Sequence, residues 1–212
     1  MSGRGASANA RILHAWAPVR DGEVWGVGPH RVLCADLREV GWTGRWDLLA
    51  EGAPPVEAVW SYPPPSRASA CGALRKAGRL TASVHYEDLL VRFADLVATV
   101  MPAGLVRLRF PPRLLPTWQA LAEARAWEER DLRGAPAWAD RSPLLEWTAA
   151  VRVPPEGQPA VVLDPCCGTG AMLAEAARAG SIALGIDLVP ERVPFALRRL
   201  EVVAGVEARR LC

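Results

Sequence analysis

The chain has 212 residues, of which half are hydrophobic and 23% charged, with a formal net charge of +2. That is enough for one substantial α/β core, is too apolar for a disordered chain, and is too weakly basic for a polybasic nucleic-acid binder, so any basic patch must be local. No uncharged apolar run approaches the roughly 18 residues of a membrane span, and the N-terminus has no apolar h-region. The five cysteines lack paired ligand spacing and the three histidines, His14, His30 and His85, are scattered, so the sequence predicts no metal site and a reduced, cytoplasmic setting. Residues 1–9 are expected to be disordered and residues 10–212 to form one domain.

In chain order, Val24 to Val27 and Arg31 to Leu37 read as short strands around the turn Gly28-Pro29, with Asp36 at the end of the second and a turn or short helix after it. Val56 to Tyr62 is a compact apolar strand stopped by Pro63-Pro64-Pro65, and the polar, glycine-containing stretch Ser66 to Leu80 reads as a loop. Leu89, Leu90, Phe93, Leu96, Val97 and Val100 give Tyr86 to Met101 the spacing of an amphipathic helix, ended by Pro102-Ala103-Gly104. Leu105 to Phe110 is a strand and Thr117 to Trp127 a helix. Glu128 to Leu132 and Leu145 to Val153 form a late antiparallel pair, joined by a loop carrying Pro136, Trp138 and Pro143. After a linker at Pro154 to Pro159, Ala160 to Leu163 is a buried strand, Ala171 to Ala179 a helix, Ile182 to Ile186 a strand and Glu191 to Val203 a helix. Strands alternating with helices predict a parallel sheet covered on both faces.

The most informative stretch is Val161 to Gly170, where an apolar strand delivers Asp164 and then Pro165-Cys166-Cys167-Gly168-Thr169-Gly170 turns into a helix. Glycines at 168 and 170 let the backbone approach a ligand, and amides at the helix start can bind its polar atoms. About 20 residues on, Gly185-Ile186-Asp187 ends the next strand, followed by Leu188, where a carboxylate can accept hydrogen bonds from ribose hydroxyls. An ordinary dinucleotide fold or a bare tight turn is the alternative, although the run has Asp-Pro in place of a full GxGxxG.

The segment Leu163 to Gly205 resembles motifs I and II of class I S-adenosylmethionine-dependent methyltransferases. It is most similar to the tRNA guanine-N2 methyltransferase and related THUMP-associated catalytic domains, through Asp164, Pro165, Cys167, Gly168, Thr169, Gly170, Glu175, Ala176 and Ala177, then Gly185 and Asp187. Upstream, Val56 to Pro65 resembles motif IV of amino-methyltransferases, in which Asp, Asn or Ser precedes two prolines and an aromatic residue. Motif IV before motif I is the circularly permuted order of β-class DNA adenine-N6 and cytosine-N4 methyltransferases. The resemblance implies a Rossmann-like, seven-stranded, mostly parallel sheet with residues 24–153 as catalytic half and 160–212 as cofactor half.

It further implies a cofactor site of Asp36, Asp164, Pro165, Cys166, Gly168, Thr169, Gly170, Asp187 and Leu188. Asp164 would meet the methionine amino group and Asp36 the adenine amino group, unless Asp36 is only a loop cap. Tyr62, Pro63, Pro64 and Pro65 occupy the catalytic positions, with Tyr62 where the family has Asp or Asn and Pro65 where it has the stacking aromatic. Trp60 and Arg67 are candidate substrate contacts, and Trp138 a further stacking candidate. Arg75, Lys76, Arg79 and Arg113 can meet phosphates, whereas Arg192, Arg198 and Arg199 are expected on a solvated helix face and Trp118, Trp127 and Trp147 in packing. The expected function is methylation of an exocyclic amine of a nucleic-acid base, RNA ahead of DNA. Alternatives are a DNA adenine-N6 or cytosine-N4 methyltransferase, a protein or small-molecule methyltransferase, and a degenerate cofactor-binding module acting with a protein partner or as a homodimer.

Overall fold

The computed structural model describes residues 18–38, 43–78, 86–130, 145–151, 157 and 159–212. The expected disorder of residues 1–9, the loop with Trp138, most of the linker, and Arg79, His14 and His85 lie outside the described residues.

A hairpin of β1 (Val24–Val27) and β2 (His30–Cys34) opens the fold, followed by helix α1 (Thr43–Leu49) and strand β3 (Ala58–Ser61). Helices α2 (Arg67–Lys76) and α3 (Tyr86–Val100) then lead to β4 (Gly104–Phe110), helix α4 (Leu115–Glu123), β5 (Glu128–Glu129) and β6 (Leu145–Val151). Last come β7 (Val161–Asp164), α5 (Ala171–Arg178), β8 (Ile182–Asp187), α6 (Val193–Ala204) and β9 (Arg209–Arg210).

Among the described residues nine strands form one sheet in the order β5-β6-β4-β3-β7-β8-β2-β1-β9. Its centre, β4-β3-β7-β8-β2, is parallel throughout, and β6, β5, β1 and β9 add on antiparallel at the two edges. The parallel core and the late antiparallel pair match the expectation. The count of seven is corrected to nine among the described residues, because the β1 hairpin arm and the short β9 extend the β2 edge. Exposed backbone at an edge recruits any extended segment that reaches it.

The order of elements also fixes the permutation. Strand β3, with the prolines at its end, lies directly beside β7, with the glycine turn at its end, although about 103 residues separate them in the chain.

Two apolar layers cover the faces. One is built around Phe93, Phe110 and Trp118, with Phe93 edge-on to Trp118 at 5.4 Å and Phe110 stacked on it at 5.9 Å. The other packs Leu173, Leu197 and Leu200 of α5 and α6 against Val162 and Ala183. The alternating burial of β4, with Val106, Leu108 and Phe110 inward, is the period-2 signature of a strand covered unequally on its two sides.

A further expectation fails. Ser66 to Leu80 is not a loop, since α2 occupies most of it. The extended Ser66 accepts a hydrogen bond from the Ser69 amide at 3.2 Å, a helix N-cap, and Ala70, Ala73 and Leu74 then fall on one buried stripe. Arg75 and Lys76 in the last turn favour the helix C-terminus. The polar composition and Gly72 conceal a stripe made mostly of alanine.

Candidate active site

Parallel strands carry loops at their carboxyl ends, and here five such ends open on one cavity of about 450 Å³. The glycine turn forms its floor. Gly168 has φ +54°, a left-handed conformation that disfavours a side chain, and lines the cavity. Gly170, at φ +79°, does not line it. A Cβ there would lie 2.6 Å from the Ala196 Cα, so this glycine serves the packing of α5 on α6.

Asp187 holds the turn in place. Its Oδ2 accepts from the Gly168 amide at 2.7 Å and its Oδ1 from Val189 N at 2.8 Å, while an Arg192 guanidinium nitrogen stands 3.9 Å away. Burial pushes its carboxyl upward, opposed by these hydrogen bonds and by Arg192.

Asp164 is buried at the end of β7 and accepts from Ser61 Oγ at 2.6 Å and from Cys166 N at 3.1 Å. Burial raises its pKa to about 7, with the Asp187 charge adding to the rise and the two hydrogen bonds opposing it. Ser61 is the last residue of β3, so this bond ties the proline strand to the glycine-turn strand.

At the β2 end, Asp36 is clasped by Arg38, whose Nε and backbone N reach Oδ1 at 3.0 and 2.9 Å and whose Nη2 reaches Oδ2 at 2.6 Å. The proline loop is held from behind. Tyr86 donates its hydroxyl to the Pro64 carbonyl at 2.5 Å, and Arg113 Nη2 donates to the Pro65 carbonyl at 2.7 Å. Burial lifts the Tyr86 phenol to about 12, which keeps it a donor.

Of the residues singled out in the sequence, Asp36, Tyr62, Pro64, Pro65, Asp164, Pro165, Cys166, Gly168, Thr169, Asp187 and Leu188 all line the cavity. Pro63, Gly170, Trp60 and Arg67 do not. Trp60 instead lies under Arg107, whose guanidinium carbon is 5.7 Å from the ring centroid, and Arg67 is exposed in the first turn of α2. Arg192 is corrected from a solvated helix residue to a cavity residue at the start of α6.

Sequence reasoning did not single out Arg38, Ser69, Ala70, Ala73, Leu74, Arg109 or Met172, which also line the cavity, and it read Leu89 only as a packing residue of its helix. The α2 members were legible once Ser66 is taken as a cap. Arg109 was not, since only the parallel register of Ser61 with Leu108 brings the end of β4 beside the prolines.

No protein-family model matches the chain, and no curated protein matches it. Among solved structures, TTHA0409 from Thermus thermophilus, provisionally assigned as a DNA modification methylase, is similar with a TM-score of 0.53 at 20% identity, over 82% of this chain and 95% of that one. Its complex with S-adenosyl-L-methionine gives 0.52 at 19%, over 82% of this chain and 94% of that one. M1.HpyAVI gives 0.50 at 15% identity, over 80% of this chain and 98% of that one. At such identities the likeness is one of architecture, and the chain shares the Rossmann-like α/β fold of these structures.

Proposed function

We propose that this protein is an S-adenosylmethionine-dependent methyltransferase that acts on an exocyclic amino group of a nucleic-acid base. One observation carries the reading. The turn with Asp164 and Gly168, the carboxylate of Asp187 and the proline loop all open on the same cavity of about 450 Å³, a size in the range of small-ligand sites.

The residues present suit the cofactor. Asp164 provides a carboxylate for the methionine ammonium, and each Asp187 oxygen, having one backbone hydrogen bond, retains a lone pair for a ribose hydroxyl. Leu37, Leu188 and Met172 supply apolar wall for a nucleoside, and the Asp36–Arg38 pair closes the same side. When bound, the cofactor supplies a methyl group already activated by its positive sulfur, so the protein's task is positioning.

On the acceptor side, the Pro64 and Pro65 carbonyls are engaged by Tyr86 and Arg113. The amine hydrogen bonds fall to the carbonyls of Tyr62 and Pro64, the latter through its second lone pair, with the 42% exposed Tyr62 ring at the cavity mouth to stack on the base. The permuted order and the fold shared with TTHA0409 favour DNA, against the RNA expected from the glycine turn and the segment after the prolines.

Calorimetry with S-adenosylmethionine and S-adenosylhomocysteine tests the cofactor: the expected result is binding that Asp187→Ala abolishes, and no binding by the wild type sinks the reading. Labelled methyl transfer to DNA, RNA and protein tests the acceptor. Transfer to protein alone would favour the second reading, which the replacement of an acidic acceptor by Tyr62 supports.

A further inference from the structure

Resting on the nucleic-acid reading above, we infer that Arg109 is a base-reading residue that selects a target presenting two adjacent hydrogen-bond acceptors, guanine or cytosine, over adenine. The inference begins with the charges of the cavity. Its three carboxylates are already served by donors: Asp36 by Arg38, Asp164 by Ser61 and Cys166 N, and Asp187 by Gly168 N, Val189 N and Arg192.

Arg109 is different. It is half-buried at the end of β4 and lines the cavity with Tyr62, Pro64 and Pro65, yet among the described residues its guanidinium has no ion pair and no hydrogen bond. A guanidinium partly withdrawn from water without a partner costs free energy that a ligand acceptor can recover. The neighbouring wall helix α2 carries Arg67, Arg75 and Lys76 and no acidic residue, so nothing there competes for it.

A guanidinium presents a rigid planar fork of donors. Guanine offers O6 with N7, and cytosine offers O2 with N3, as neighbouring acceptors that satisfy two arms of the fork. On adenine the group beside N7 or N1 is the N6 amine, itself a donor, so a second arm would meet a donor. Tyr62 lacks the carboxylate that an Asp at this position would bring toward Arg109.

The test is equilibrium binding to the protein loaded with S-adenosylhomocysteine. Single-stranded thymine octamers containing one guanine, cytosine, adenine or abasic position serve as probes, in deoxy and ribo (uracil) form. Guanine or cytosine is expected to bind about tenfold more tightly than adenine, and Arg109→Lys, which keeps the charge but not the fork, to erase that preference. Retained S-adenosylhomocysteine affinity reports that the variant is folded. Equal binding of all bases with the abasic probe just as tight, all weakened by Arg109→Lys, assigns Arg109 to phosphate and overturns the inference. So does a preference for guanine or cytosine that survives Arg109→Lys. Failure of every oligonucleotide to bind the loaded protein overturns the nucleic-acid reading itself.

Discussion

At the residue scale the cavity is governed by buried carboxylates whose charge is costly without a ligand. Asp164 carries the sharpest consequence. Its pKa stands at about 7 against an ordinary 3.8, so a neutral carboxyl is favoured in the empty protein below that pH. The proposed ammonium contact needs the ionised form, and cofactor affinity is therefore expected to fall as pH drops from 8 to 6. Asp164→Asn should weaken binding at least tenfold and flatten that profile in calorimetry. For the unliganded fold the sign is opposite. Between 3.8 and about 7 the unfolded chain ionises Asp164 while the folded chain does not, so this group's contribution to stability is fully present below 3.8 and lost as pH rises through 7. Melting of the unliganded protein should accordingly be lower at pH 8 than at pH 5.5 by more in the wild type than in Asp164→Asn. Ser61→Ala removes the 2.6 Å bond to Asp164 inside the protein, and urea unfolding at pH 8, where Asp164 is ionised, should register a loss of about 1.5–3 kcal/mol, the range for a bond to a charged group.

At the element scale the least expected feature is α2, whose Ala70, Ala73 and Leu74 wall the cavity directly after the rigid proline loop. Its N-cap is a local device with a local signature. Ser66→Ala is expected to cost about 1 kcal/mol in chemical denaturation, and Ser66→Asp to restore it. A second constraint lies where α5 meets α6. Gly170→Ala places a Cβ 2.6 Å from the Ala196 backbone in a left-handed conformation, so a severe drop in melting temperature is expected even though Gly170 does not line the cavity. If the variant melts like the wild type, the close packing of these two helices is wrong. The long-range elements were easier to foresee than α2 because large apolar residues mark them. The stripe Leu90, Phe93, Leu96 and Val97 on α3 announces its buried face, whereas an alanine stripe with serines and arginines between resembles a solvated loop.

For the whole molecule, cofactor and fold are linked, since the cavity lies between strands from both halves of the chain. A ligand at one hundred times its dissociation constant stabilises the folded state by about 2.7 kcal/mol. For a chain of this size that corresponds to a rise in melting temperature of about 5–10 °C. S-adenosylhomocysteine is expected to produce this rise and Asp187→Ala to remove it, as scanning calorimetry would record; an unchanged melting temperature at saturating ligand would contradict the proposed site. No described helix is long and apolar enough to cross a membrane. What the sequence alone determined is what local chemistry encodes: the apolar strands, the left-handed glycine turn after Asp164, the carboxylate ending the next strand, the prolines stopping β3, and through their order the permuted arrangement. Only the tertiary structure decided which of these residues share one cavity. Parallel pairing set Ser61 against Asp164 and Arg109 beside Tyr62, while side-chain facing and helix packing kept Gly170, Trp60 and Arg67 out of the cavity. Those outcomes depend on register between strands distant in the chain, on which face each side chain takes and on helix packing, none of which a run of neighbouring residues records.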